Sequence, residues 1–224
     1  MFVLRLNCIL LPLFVVFSFG VSTAQMTSLW VETVAQHDGV VGNTDFSGMS
    51  TYRLYAIMTS EADFLGASFG NLQTPCSIST STEFYQHPAG GSFGTDLSVF
   101  FMGILPDLSF DSWVTIGLSS SPAAGNGEGV STLGMGEELQ AFESGESLYV
   151  ESQIGGSWFV LPGSSNGVAG EDMMVLLAQV TTDGLIEGFL NVQVFVEGNP
   201  FEEQLETWEF SAGAPGCTDE LACN

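Results

Sequence analysis

The sequence predicts an all-β protein: an antiparallel β-sandwich of jelly-roll or Ig-like kind, forming one large domain over residues 25–210. Three observations predict it. Apolar residues recur at every second position in run after run. Glycine-rich turns separate those runs. Only one stretch, residues 136–142, keeps helical spacing. Many strands with almost no helix make a sandwich or barrel, and the length suits a single two-sheet domain.

Residues 1–24 read as a secretory signal peptide. Arg5 gives a positive start, residues 9–19 are apolar apart from Pro12 and Ser18, and Ser22, Thr23 and Ala24 place small residues before Gln25. The apolar run is shorter than the ~20 residues that a membrane-spanning helix requires. The expected destination is secretion or the cell surface.

Strands are expected at residues 29–35, 51–59, 77–82, 97–101, 113–118, 148–154, 158–161, 173–181, 190–196 and 204–210. The alternation is clearest in two of them. Tyr52, Leu54, Ala56 and Met58 alternate with Arg53, Tyr55 and Ile57. Leu190, Val192, Val194 and Val196 alternate with Asn191, Gln193 and Phe195. Turns are marked by Asp38-Gly39, residues 88–91, Gly155-Gly156, Asp183-Gly184 and residues 198–200. Residues 119–129 read as a long loop within the domain, because the strands on either side look equally core-like.

From Ser211 the character changes to a linker, followed by Gly216-Cys217-Thr218-Asp219-Glu220-Leu221-Ala222-Cys223-Asn224. These nine residues resemble the opening, G-C-T-D-x-x-A-C-N, of a short Cys- and Asp-rich repeat found at the C-terminal ends of secreted proteins of marine bacteria. The later part of that repeat is missing, so residues 211–224 are expected to be a linker and the start of a truncated repeat. Residues 51–56, 111–117 and 190–195 are similar to uncharacterised secreted β-domains of such organisms. The resemblance implies export and extracellular residence, and no particular activity.

Charge excludes whole classes of function. From Gln25 onward the chain carries 26 Asp plus Glu against one Arg, Arg53, and no Lys, a formal charge of −25. Such a surface repels nucleic acid and anionic membranes. It offers almost nothing to clamp a phosphoryl group. Disorder is not implied, because 45% of residues are hydrophobic and only 12% charged. The acids are scattered rather than blocked, which suits a hydrated surface in salty water.

Cys8 leaves with the signal; Cys76, Cys217 and Cys223 remain. Cys217 and Cys223 are the candidate disulfide pair in an oxidising compartment. Cys76 is then a lone buried thiol. The C-x5-C spacing is not that of a zinc site.

The candidate chemistry is sparse. Two G-x-S-x-G matches, at residues 66–70 and 90–94, lack the strand-to-helix context of a nucleophile elbow. They read as glycine-supported turns or bulges, with Ser92 leading into a strand. His37 and His87, each beside a turn signal, read as surface turn residues. Asp107 with Asp111, Glu137 with Glu138 and Glu202 with Glu203 are carboxylate pairs, which a chain this acidic supplies by composition alone. Asp38, Asn43 and Asp45 place three side-chain oxygens in one glycine-containing loop, a candidate calcium site without an EF-hand pattern. No other cofactor is expected. Trp30, Trp113, Trp158 and Trp208 read as core or half-buried strand residues, with a sugar-stacking platform as the alternative. Arg53 is expected to pair structurally with a carboxylate.

These readings converge on a secreted, non-catalytic β-sandwich module with a structural, adhesive or matrix role. The expected partner is an extracellular glycan or surface protein, not nucleic acid or membrane. A carbohydrate-binding module, with or without calcium, and a secreted hydrolase with acidic catalytic residues are the alternatives.

Overall fold

A computed structural model of the chain describes residues 28–123 and 127–213. The expected signal peptide and the Cys217–Cys223 pair lie outside the described residues. In chain order the elements are β1 (Ser28–Gln36), β2 (Val40–Val41), β3 (Thr44–Asp45), β4 (Ser50–Ile57), β5 (Phe64–Gly70), β6 (Cys76–Thr80), α1 (Val99–Met102), β7 (Trp113–Val114), β8 (Ser131–Leu133), α2 (Gly136–Glu143), β9 (Leu148–Val150), β10 (Gly156–Phe159), β11 (Met174–Thr182), β12 (Ile186–Phe195) and β13 (Glu203–Ala212).

The strands form an all-β, sandwich-like architecture. One sheet has the order β1-β4-β11-β7, and the second runs β8-β10-β5-β12-β6-β9 with β13 also on β12. Strand pairs are antiparallel in both sheets. Strands from before and after residues 119–129 pair directly in each sheet, so the chain forms one body.

Alternation explains the core. Tyr52, Leu54 and Ala56 of β4 and Leu190, Val192 and Val194 of β12 point inward and are buried, together with Leu177, Val180, Ile78 and Trp158. Their opposite faces carry Arg53 and Tyr55, or Gln193 and Phe195, which stay part-exposed. Period-two burial of this kind lets each sheet hide one face against the other.

β12 is the organising strand. Along one edge it pairs with β13 over its whole length. Along the other, β5 takes residues 191–195 and β6 takes residues 186–189. β5 and β6 therefore lie end to end, as one strand interrupted by the excursion 71–75. Asn191 sits at the break.

Several expectations are corrected. Residues 97–101 were expected as a strand, but 99–102 form α1. Leu97, Met102 and Leu105 pack onto Leu108, Trp113, Leu176 and Tyr55 on the outer face of the four-stranded sheet, and a turn brings these residues to one side where a strand would not. Residues 113–118 are ladder only at Trp113–Val114, although Thr115 and Gly117 still donate to the carbonyls of Leu177 and Leu176. The expected strand 148–154 ends at Val150.

Residues 66–70, expected as a glycine-supported turn or bulge, lie within the central strand β5. Beyond Phe64 and Leu65, which join the core, its inward positions are Ser68 and Gly70, too small to give an apolar alternation. Gly70 is required there, because a Cβ would lie 2.3 Å from the Val150 carbonyl oxygen. The bulge reading holds locally: β12 pairs Gln193 with Ala67 and Val194 with Leu65, leaving Gly66 unpaired between them. The helix expected at 136–142 is α2, and the strands at 29–35, 173–181 and 204–210 are β1, β11 and β13.

Candidate functional site

Both histidines are half-buried rather than at the surface. The reason is an aromatic cluster beneath the β2–β3 hairpin. His37 packs edge-on to Phe110 at 4.4 Å between ring centres, and Phe46 packs on Phe110 and Tyr85. His37 Nε2 pairs with Thr51 Oγ1 at 2.9 Å, and Thr51 in turn pairs with Thr181 in the interior. Burial lowers the His37 pKa, with the Asp38 charge opposing.

His87 makes one ring hydrogen bond and one longer ion-pair contact. Its Nδ1 accepts from the Ala89 N–H at 3.0 Å, and its Nε2 lies 3.6 Å from Asp107 Oδ1. A nitrogen that accepts an N–H carries no proton, so the neutral ring is protonated at Nε2. A triad base must turn one nitrogen to its nucleophile, and a metal-bound Nε2 must be unprotonated. His87 meets neither condition. The two G-x-S-x-G serines fit no better. Ser68 is fully buried in β5 and donates to the Asn191 carbonyl. Ser92 leads into the 3-10 turn Gly94–Asp96 rather than the expected strand.

Asp107 and Asp111 end up in different environments. Burial acts to raise Asp107, but the N–H groups at Asn43 and Asp107, the Thr44 hydroxyl and His87 outweigh it and hold its pKa below the ordinary value. Burial pushes Asp111 up to about 7, against backbone N–H bonds from His87 and Gly91 and aided by the Glu143 charge. A split pair is the pattern of an acid and a base. Access decides against that use. Asp111 is fully buried, and its two oxygens accept from His87 N at 2.7 Å and Gly91 N at 3.2 Å. No glycosidic oxygen can reach it. These carboxylates clasp the segment 87–91 and the hairpin to the body instead.

The candidate calcium loop is spread along that hairpin. Asp38 precedes β2, Asn43 is in the turn, and Asp45 pairs with Val40. All three are exposed. Asp45 Oδ1 accepts from the Ser47 hydroxyl and N–H at 2.6 and 3.0 Å, which lowers its pKa. The Asn43 N–H is taken by Asp107 Oδ2. Among the described residues no group of three or more His, Cys, Asp or Glu is placed to hold a metal ion.

Arg53 makes no ion pair among the described residues. Its Nε donates to Gln179 Oε1 at 3.0 Å, an amide in place of the expected carboxylate. Trp113 and Trp158 are buried, and Trp208 packs partly buried on the core. Trp30 alone is well exposed, stacked on Tyr55 at 5.4 Å.

A concave surface flanked by exposed aromatic side chains lies elsewhere, on the outer face of the seven-stranded sheet. It is a groove of about 460 Å³. The ladder register builds it in rows. Tyr149, Ser77, Phe189 and Glu209 face one another across β9, β6, β12 and β13. Ser79, Glu187 and Ser211 form the next row. Tyr149 is 51% exposed and Phe189 43%, although Leu148 and Val150 beside the first and Gly188 and Leu190 beside the second are buried. Ser77 Oγ accepts from the Phe189 N–H, and Ser79 Oγ donates to the Glu187 carbonyl, so the floor is fixed by hydrogen bonds.

This groove is not marked by tryptophan, the residue that suggests a sugar platform in the sequence, because none of the four lines it. The available signal was the alternation itself, which puts Phe189 on the polar face with Asn191 and Gln193. Among the described residues no helix is long and apolar enough to cross a membrane. No protein-family model matches the chain, and no curated protein or solved structure matches it either.

Proposed function

We propose that this chain is an exported, non-catalytic β-sandwich module with an adhesive role, and that it holds an extracellular glycan in the Tyr149–Phe189 groove. One observation carries the reading: two half-exposed aromatic side chains flank a concave, hydroxyl- and carboxylate-lined groove on a rigid sheet face. Aromatic faces stack on the apolar faces of sugar rings, and the surrounding oxygens accept from sugar hydroxyls. The inaccessible Asp111 favours binding over hydrolysis. The signal-like residues 1–24 and the repeat-like residues 216–224 are the support for export.

The test is affinity electrophoresis of the purified chain in gels containing soluble polysaccharides. Retardation on at least one glycan is expected, and Phe189→Ala or Tyr149→Ala should abolish it without lowering the unfolding midpoint. No retardation on neutral, cationic or anionic glycans would sink the proposal. So would glycan hydrolysis lost in a carboxylate variant.

A further inference from the structure

Resting on the reading of the groove as a glycan site, we infer that its ligand is an amino-glycan, a polymer whose sugar rings carry free ammonium groups. The polar complement of the groove is one-sided. Glu187 and Glu209 are exposed on adjacent strands, and serines supply the remaining lining hydroxyls. No cation lines it. The one Arg of the chain beyond residue 24, Arg53, lies on β4 of the other sheet.

The register sets the two carboxylates diagonally. Glu209 stands opposite Phe189, and Glu187 opposite Ser211. Diagonal neighbours across an antiparallel pair lie about 7–8 Å apart, within reach of one small cation between their side chains. Phe189 adjoins both carboxylates, opposite Glu209 and two residues from Glu187, while Tyr149 lines the same groove two strands away on β9; aromatic faces attract ammonium groups. An uronate or sulfated sugar meets two like charges here. A neutral sugar gains stacking but nothing from the carboxylates. A ring with a protonated amine gains both. A cationic peptide strand is the less suitable occupant, because extended peptides dock by pairing with a sheet edge and this groove lies on a sheet face.

The experiment compares three oligosaccharides of equal length and the same β-1,4 linkage: glucosamine, N-acetylglucosamine and glucose. Binding to the purified chain is measured by calorimetry at constant ionic strength, at a pH where the sugar amine is protonated. The glucosamine oligomer should bind about tenfold tighter than the other two, an advantage on the scale of one cation–aromatic contact plus a charge pair. The double substitution Glu187→Gln, Glu209→Gln should erase that advantage. Removing two acids elsewhere, with Glu137→Gln and Glu138→Gln on α2, should leave it intact. Equal binding of all three sugars would overturn the ammonium inference while leaving a glycan site standing. Loss of the advantage in the Glu137/Glu138 variant would also overturn it, tracing the preference to bulk charge. No binding of any sugar, in line with no retardation in the gels, would overturn both readings.

Discussion

The Asn191 side-chain amide donates to the Pro75 carbonyl at 3.0 Å, across the break between β5 and β6. The same Nδ2 reaches the carbonyls of Phe69 at 3.0 Å and Thr74 at 3.2 Å, while Oδ1 accepts from the Thr207 hydroxyl. Asn191 is fully buried. One side chain thus bridges the ladder that the 71–75 excursion interrupts, donating to carbonyls on both sides of the break.

Asn191→Ala removes that staple and leaves a cavity with unpaired carbonyls. Each orphaned buried polar group costs about 1–3 kcal/mol, so the variant should lose roughly 3 kcal/mol in urea unfolding with little change in slope. A midpoint equal to that of the parent chain would show that the excursion holds itself, through Asn71 and its bonds to Gln73 and Thr74.

Cys76 opens β6 beside this seam. It is fully buried, and burial pushes its thiol up to about 11. A thiol with almost no thiolate and no access reacts only after opening. Alkylation at Cys76, mapped by mass spectrometry, should therefore be negligible in the folded chain and rise with denaturant. In Asn191→Ala it should rise at lower denaturant. Rapid alkylation of the parent chain in buffer would contradict this account of the seam.

Asp111 gives a pH dependence whose direction follows from its environment. Its ordinary pKa of 3.8 is raised to about 7 on folding, so between those values the folded state holds the proton more tightly. Stability from this group is full below about pH 4, falls as pH rises through the window, and is flat above about 7. Each unit of pKa displacement is worth about 1.4 kcal/mol, so the fall should be on the order of a few kcal/mol. Asp107, held below the ordinary value, acts in the opposite sense and at lower pH: its contribution is present above the carboxylate range and lost beneath it. Asp111→Asn keeps one acceptor for the two N–H donors. It should be less stable than the parent at pH 5 yet lack the decline towards pH 7. An equal slope in both proteins would assign the decline to other groups.

Calcium separates a hydrated acidic surface from an ordered ion site. Asp45 is already engaged by Ser47, and Asp38, Asn43 and Asp45 are exposed along a short hairpin. The thermal midpoint with calcium should therefore match that with magnesium at equal ionic strength. A ligand confined to the folded state raises the midpoint by mass action. A calcium-specific rise that disappears in Asp45→Asn would restore the hairpin as a calcium site.

The sequence alone determined the class of fold and most of its strands. Alternation along 51–59 and 190–196 places Leu54, Ala56, Leu190 and Val192 in the core whatever their partners, because side chains on a strand change face at each step. It also determined the charge, since composition does not depend on folding. Tertiary structure alone decided the rest. β5 is central yet unreadable, because its inward Ser68 and Gly70 are chosen for the close approach of Cys76 and Val150, not for hydrophobicity. Residues 97–101 look like a strand but find no ladder partner; the chain turns through 99–102 so that Leu97 and Met102 pack on the outer face of the four-stranded sheet while Val99, Phe100 and Phe101 stay exposed. His87 reads as a turn residue until Asp107, 20 positions later, is folded against it. The groove is the plainest case. Tyr149, Phe189 and Glu209 are far apart along the chain, and only the pairing of β9, β6, β12 and β13 sets them side by side. Register is a long-range property, fixed by which strands meet, and no local window of sequence contains it.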